Sequence, residues 1–459
     1  MADETRIITV KRGVTDEWNA EIQPLDKGEL GYDITSNKYK GGDGSTAFAN
    51  LPAFVTEKDV NIEGSIIYSG PRRTPTLTEP VGVVLVQGGG GAGVWDRVNL
   101  AGDPIAIPSG YFSSRPEYQI NVTAIDGQAM VNIDKFHYAR LTLASGPYAG
   151  KKAWFINKTA FNGSEVHPAF LNNVGAEIDN FWVGAYEAVA DGTSKAASWN
   201  NKPPLVNIDF PTMVSRCSAR NTGGVTGFRL IDIYQIAAIQ YLALVEMGAP
   251  DSQTILGRGN CDCPGIYGSA MNTGYTNAIW RAIHELWGNV WCMVQGIENR
   301  NGVLWVWNKN GTQSWVNTGL TLPDAGWITD MASVAGSGFD LNALFIPSAT
   351  TPYMGEGSWS DYFNIVKDGT TKVCYHGGGW NNGSNAGLFR LNLNNPASNS
   401  NTNIGGRLAK GKLRPEAKLL KGISSVPFPL GNGVHASKIG EISKEVRPQV
   451  GILKAALRF

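Results

Sequence analysis

Charge is scarce in this sequence. Only 17% of its 459 residues are Asp, Glu, Lys or Arg, and 39 basic residues balance 39 acidic ones. A globular chain usually carries about 25%. The balance excludes a general nucleic-acid or membrane-surface binder. Cysteine is also sparse and odd in number (Cys217, Cys261, Cys263, Cys292, Cys374). That excludes a disulfide framework and points to buried thiols in a reducing compartment. The longest apolar run, residues 233–245, is interrupted by Gln235 and Gln240. It falls short of the roughly 18 residues a membrane span needs. Met1 to Arg6 shows no apolar stretch followed by small residues, so no secretory signal is expected and the chain is predicted to be soluble and made in the cytoplasm. Glycine and aromatics are abundant, with 56 Gly, 14 Trp and 15 Tyr. This favours turns and short strands over long helices and excludes a coiled coil, a collagen and a wholly disordered chain.

The length predicts about two to four domains. In residues 1–55, short alternating stretches closed by Asp, Asn and Gly read as small strands. This segment is too short to bury its own apolar faces and is expected to lean on copies of itself or on the next domain. Residues 56–200 read as a β-sandwich-like intermediate domain, with strands over 64–68, 81–86, 118–122, 138–143, 153–156 and 181–186. Residues 201–408 read as α+β. The spacing of Ile233, Ile236, Ala237, Tyr241, Leu244 and Val245 predicts a helix within 228–248, stopped by Gly248. A shorter helix is expected over 277–286. Strands over 290–296 and 303–307 flank Asn301-Gly302, a hairpin signal. Residues 409–459 form a basic tail: from Arg407 onward there are eleven Lys/Arg against three Glu. It is either a solvated, partly ordered tail or an arm docking on an acidic surface of the same assembly.

Two sets of motifs carry a family resemblance. The first is Val10-Lys11-Arg12-Gly13-Val14-Thr15-Asp16-Glu17-Trp18, then Gly28-Glu29-Leu30-Gly31-Tyr32-Asp33, then Gly41-Gly42-Asp43-Gly44-Ser45-Thr46-Ala47-Phe48 with Leu51-Pro52. It resembles the N-terminal module of phage tail-fibre proteins of the major tropism determinant type. The second is Glu285-Leu286-Trp287-Gly288-Asn289-Val290-Trp291, followed by His376-Gly377-Gly378-Gly379-Trp380, Ala386-Gly387-Leu388-Phe389 and Gly405-Gly406-Arg407. It resembles the C-type lectin fold as used by formylglycine-generating-type domains, with His376 where Arg is usual and Gly406 where Phe is usual. The resemblance implies a multidomain protein: β-rich N-terminal modules, β-prism-like and β-sandwich-like, ahead of an α+β C-type lectin domain over 201–408. Trp287, Trp291 and Trp380 are core candidates, and Asn289 is expected to bond backbone in a loop without regular ladders.

Nine asparagines lie between 381 and 403: Asn381, Asn382, Asn385, Asn392, Asn394, Asn395, Asn399, Asn401 and Asn403. An ordinary irregular surface loop accounts for them. The competing account comes from a resemblance to variable proteins of diversity-generating retroelements, whose asparagine codons near the end of a lectin-type domain are diversified to change ligand choice. It implies a variable region of about 377–407 with Gly387, Leu388, Phe389, Leu391 and Leu393 as fixed scaffold. Those family members typically end near the position of Arg407, which leaves the role of 409–459 open.

Enzyme chemistry finds little support in the residues. Gly88-Gly89-Gly90-Gly91-Ala92-Gly93 matches a dinucleotide-binding spacing, but Gly102 and Pro104 leave no room for the helix it requires, and a flexible turn is expected. No cysteine follows Cys374, so the cysteine pair of formylglycine-generating oxidases is missing. Cys261-Asp262-Cys263 with Cys217 or Cys292 is a weak zinc pattern. His284, beside Glu285, reads as a packed structural residue. Trp380-Asn381-Asn382 lacks the carboxylate of a calcium-dependent sugar site. Asp324, Asp330, Asp340, Glu356 and Asp361 show no spacing diagnostic of a glycan depolymerase, the leading enzymatic alternative. A purely structural fibre or baseplate component is the other alternative.

The resulting expectation is a non-enzymatic receptor-binding protein of a phage or prophage tail fibre, without cofactor or metal. Trp359, Tyr362 and Trp380 are expected beside the nine asparagines in the ligand-binding set. A bacterial surface protein or glycan is the expected partner, and other virion proteins are expected to bind through the N-terminus. A homotrimer, no nucleic acid and no membrane insertion complete the expectation.

Overall fold

The computed structural model describes residues 72–262 and 269–411, with the short segments 10–13, 30–33, 38–41, 45–47, 58–60 and 66–68. The chain divides into two units, residues 1–414 and 415–459. The second, which holds most of the predicted basic tail, lies outside the described residues. So do Trp18, Phe48 and Cys263. The described N-terminal segments form a three-stranded sheet, with Val10–Gly13 parallel to Leu30–Asp33 and antiparallel pairing of Leu30–Asp33 with Lys38–Gly41. A hairpin joins Lys58–Val60 to Ile66–Tyr68.

The described residues are β-rich, in several sheets. The first sheet has the order Glu165–Val166, His137–Thr142, Lys152–Asn157, Val81–Gln87, Val94–Val98, antiparallel throughout. The second runs Phe228–Leu230, Leu408–Lys410, Asn180–Gly184, Gln128–Asp134, Val122–Ile125. The third is a large curled sheet centred on Trp291–Arg300, Thr371–His376 and Leu391–Asn395. The second sheet crosses the expected boundary at residue 200, because Leu408–Lys410 is inserted between Asn180–Gly184 and Phe228–Leu230. Apolar side chains from Val81 to Ala409 also fall in one continuous core.

One helix, Ile233–Met247, lies at the centre of that core. Thirteen of its fifteen residues are buried, and it packs against Lys152–Asn157, Val81–Gln87 and Trp291–Arg300. Burial on every face explains why its apolar pattern is broad rather than a stripe. The helix starts later than the periodicity implies. Phe228–Leu230 is a strand, and Asp232 caps the helix by accepting from Gln235 N while the Gln235 side chain reaches back to Asp232 N. Gly248, at φ 79°, ends it as expected.

The expected helix over 277–286 is absent. Ile279–Trp280 pairs with Ile283–His284 in a tight hairpin whose turn residues, Arg281 and Ala282, have φ 44° and 65°. Tertiary contacts override the helical propensity. Arg281 forks onto Glu246 at 2.6 and 2.7 Å and lies 4.8 Å over the Tyr118 ring, while Trp280 Nε1 donates to Glu246 at 2.8 Å. The Asn301-Gly302 hairpin is present, with both residues at positive φ, between Trp291–Arg300 and Val303–Trp307. Among the described residues no helix is long and apolar enough to cross a membrane.

Candidate asparagine-bearing surface

The scaffold beneath the asparagine-rich stretch is a buried polar network. Asn289 donates to Met271 O and accepts from Met271 N, and its Nδ2 also donates to Glu187 at 2.6 Å. Glu187 accepts from Val290 N at 3.0 Å. Desolvation pushes the carboxyls of Glu187 and Glu285 above the usual range. For Glu187 the neighbouring Glu285 adds to the shift and Arg407 opposes it; for Glu285 Arg407 again opposes. Arg407, 1% exposed, donates to the carbonyls of Gly184, His284 and Glu285 and ties the closing segment to the core. Trp287 and Trp291 are buried as expected. His376, at the position where the resemblance has Arg, is buried and donates to Leu388 O at 2.6 Å; desolvation pushes its imidazole down to about 4.

Main-chain bonds stitch the turn above this network. Gly377 N donates to Arg390 O, Gly387 N to Gly377 O, Gly288 N to Gly378 O and Trp380 N to Asn289 O. Gly377 and Gly378 have φ of 87° and 91°, and a Cβ on Gly377 would stand 2.5 Å from Leu286 O. These glycines are required by conformation and by close approach.

The asparagines separate into two groups. Asn381 and Asn401 are exposed, and Asn382, Asn385, Asn399 and Asn403 are half-buried. Asn403 Nδ2 donates to Asn381 Oδ1 at 2.9 Å, which joins the loops 380–382 and 401–403. Asn382 Oδ1 accepts from Gly379 N at 2.7 Å, and Asn401 Oδ1 from Thr402 N. Half-buried Trp380 lies at the start of this surface. Asn392, Asn394 and Asn395 instead belong to the strand Leu391–Asn395. Asn392 is 5% exposed and accepts from Asn394 N, so its side chain serves the sheet rather than a partner.

Of the other expected aromatic site residues, Trp359 is buried and Tyr362 half-buried. Trp359 is fully buried and packs edge-on against Trp95, Trp154, Phe345 and Phe389. It is core, because four other aromatic rings converge on it. Tyr362 is half-buried on a strand facing Trp327, with the Arg390 guanidinium 5.7 Å from its ring. Arg390 itself was missed in the sequence. It is 2% exposed, its Nε and Nη1 have no hydrogen-bond partner among the described residues, it lies 4.8 Å over Trp291, and desolvation pushes it down to about 10 against the pull of Asp361.

The described cysteines, Cys217, Cys261, Cys292 and Cys374, are buried, each raised by desolvation, Cys292 up to about 12. Among the described residues no group of three or more metal-ligating side chains gathers. The glycine-rich run 88–93 is a turn with four positive-φ glycines that leads into the strand Val94–Val98 rather than a helix.

No protein-family model and no curated protein matches the chain. Among solved structures it is similar to a "Major Tropism Determinant U1 Variant", at 16% identity and TM-score 0.24 over 87% of this chain and 98% of that one. It is also similar to "Treponema denticola variable protein 1", at 11% identity and TM-score 0.30 over 63% of this chain and 98% of that one. TM-scores this low establish neither a shared fold nor a shared function.

Proposed function

We propose that the protein is a non-enzymatic receptor-binding component of a phage or prophage tail fibre, and that it recognises a bacterial surface molecule through the loops 380–385 and 399–403. The observation that carries this reading is a division of labour. The loop backbone is held by main-chain bonds to Asn289, Gly288 and Arg390, while the side chains of Asn381 and Asn401 reach solvent. Exchanging these side chains gives up only the Asn381–Asn403 amide contact and the Asn401–Thr402 turn bond, a small cost beside the main-chain bonds that hold the loop. Trp380 supplies an anchor of amphipathic area and the amides supply adaptable hydrogen bonds. The motif resemblances in both the N-terminal and the 285–407 segments support a tail-fibre context, a lectin-type domain and attachment through the N-terminus. Trimerisation would let weak individual sites act together.

The experiment is adsorption to host cells by protein carrying Ala at Trp380, Asn381, Asn385 and Asn401. Adsorption is expected to fall by about tenfold or more, with the unfolding midpoint little changed. Unchanged adsorption by folded protein would overturn the assignment of this surface.

A further inference from the structure

Apart from the asparagine surface, a cleft of about 340 Å³ opens between the glycine turn and the short helix Ser252–Ile255. Its size falls within the range of small-molecule sites, about 300–1,000 Å³. One wall is main chain at Gly90 and Gly91, where a Cβ on Gly90 would meet nothing within 4 Å. Ser360 fixes that wall by donating its N–H to Gly91 O, and does so at φ 61°, a strained conformation for serine. Asp361 also lines the cleft and is 1% exposed. One of its oxygens accepts from Phe389 N at 2.6 Å; the other has no hydrogen-bond partner among the described residues. That oxygen is available to an occupant of the cleft.

The remaining lining decides what that occupant is. Gln253 accepts from Arg258 Nε at 3.0 Å and donates Nε2 to the carbonyls of Gly383 and Ala386, so it holds the guanidinium at the cleft wall. The hydroxyls of Thr254 and Ser384 stand on the rim, and both residues are exposed. Trp327 and Met354 add apolar surface; Met354 is 59% exposed and neighbours Tyr353, 65% exposed. Asp251 offsets Arg258, so no cationic excess exists to hold a phosphate, and the glycine turn leads to no helix N-terminus. Planar groups that form paired hydrogen bonds, a hydroxyl rim and one apolar face match vicinal hydroxyls and the C–H patches of a sugar ring.

We propose that this cleft binds a saccharide, with Asp361 and Arg258 supplying the hydrogen bonds, Gln253 positioning Arg258, and Trp327 with Met354 the apolar contact. The cleft adjoins the asparagine surface, because Ser384 on its rim belongs to the loop 380–385. Desolvation holds the Asp361 carboxyl well above the usual range. Asp251 reinforces the shift, and Phe389 N and Arg390 oppose it. The raised value favours the protonated carboxyl, the form that donates to a sugar oxygen.

The test uses the full chain on an array of bacterial capsular, O-antigen and peptidoglycan-derived oligosaccharides, with calorimetry on whatever is retained. At least one glycan is expected to bind. Ser384→Trp and Thr254→Trp, which fill the rim from exposed positions, are expected to lower that affinity at least tenfold, while Asn401→Ala leaves it unchanged. Asp361→Asn is expected to fold and to abolish the loss of affinity as pH rises. Retention of no glycan, or equal retention by both Trp variants, overturns the proposal. Host adsorption that persists without any retained glycan removes the cleft and leaves the asparagine surface standing.

Discussion

Asn401 and Asn392 lie in the same asparagine-rich stretch and in different surroundings. Asn401 is exposed and its side chain bonds only the adjacent Thr402, whereas Asn392 is buried in a strand paired with Tyr375 and Asn364. Asn401→Ala is expected to change stability by less than about 1 kcal/mol, and Asn392→Ala to cost about 1–3 kcal/mol, both read by urea unfolding. The sequence made the stretch visible through its asparagine count, but not which asparagines face solvent. That depends on where the strand Leu391–Asn395 begins, and strand register comes from tertiary pairing. Trp359 is a similar case: an indole suits an interface or a core, and only the convergence of Trp95, Trp154, Phe345 and Phe389 decides. His376 gives a pH prediction at this scale. Its imidazole is held neutral, at about 4, below the ordinary 6.5. The unfolded chain takes up the proton first, so this contribution is complete above 6.5 and lost as pH falls toward 4. The loss is on the order of 3 kcal/mol. Acid unfolding of His376→Gln is expected to be correspondingly shallower over that window.

Among the elements, the hairpin at 279–284 shows how far local propensity reaches. Its residues read as helix, yet Glu246, Tyr118 and the core helix hold Arg281 and Ala282 in left-handed conformations. The left-handed region costs a non-glycine residue about 1–2 kcal/mol. Ala282→Gly is therefore expected to stabilise the protein by about 0.5–1 kcal/mol. Arg281→Ala is expected to destabilise it by about 1–2 kcal/mol, because it removes the fork onto Glu246 and the Tyr118 contact. Both are measured as shifts in the denaturant midpoint. The central helix and the Asn301-Gly302 hairpin were legible, because their signals are local: a capping residue, a terminal glycine, an Asn-Gly pair. The capping box should be measurable as well, with Asp232→Ala costing about 0.5–2 kcal/mol.

For the molecule as a whole, the sequence read a β-rich chain with one strong helix, and the described residues have that character. The second sheet spans residue 200, because Leu408–Lys410 returns to pair with Asn180–Gly184, a contact between distant segments that composition cannot report. The same return places Arg407 among the carbonyls of Gly184, His284 and Glu285, so the scaffold closes immediately after the asparagine-bearing loops. A surface held between a buried tryptophan-rich core and a closing strand is suited to carry changing side chains. The most direct test is a library randomised at Asn381, Asn385, Asn392 and Asn401, with every variant scored separately for protease-resistant folding and for host-cell adsorption. The account expects most residues at 381, 385 and 401 to fold while altering adsorption, and few to fold at 392. Equal intolerance at all four positions, or folding variants that all adsorb alike, would contradict it.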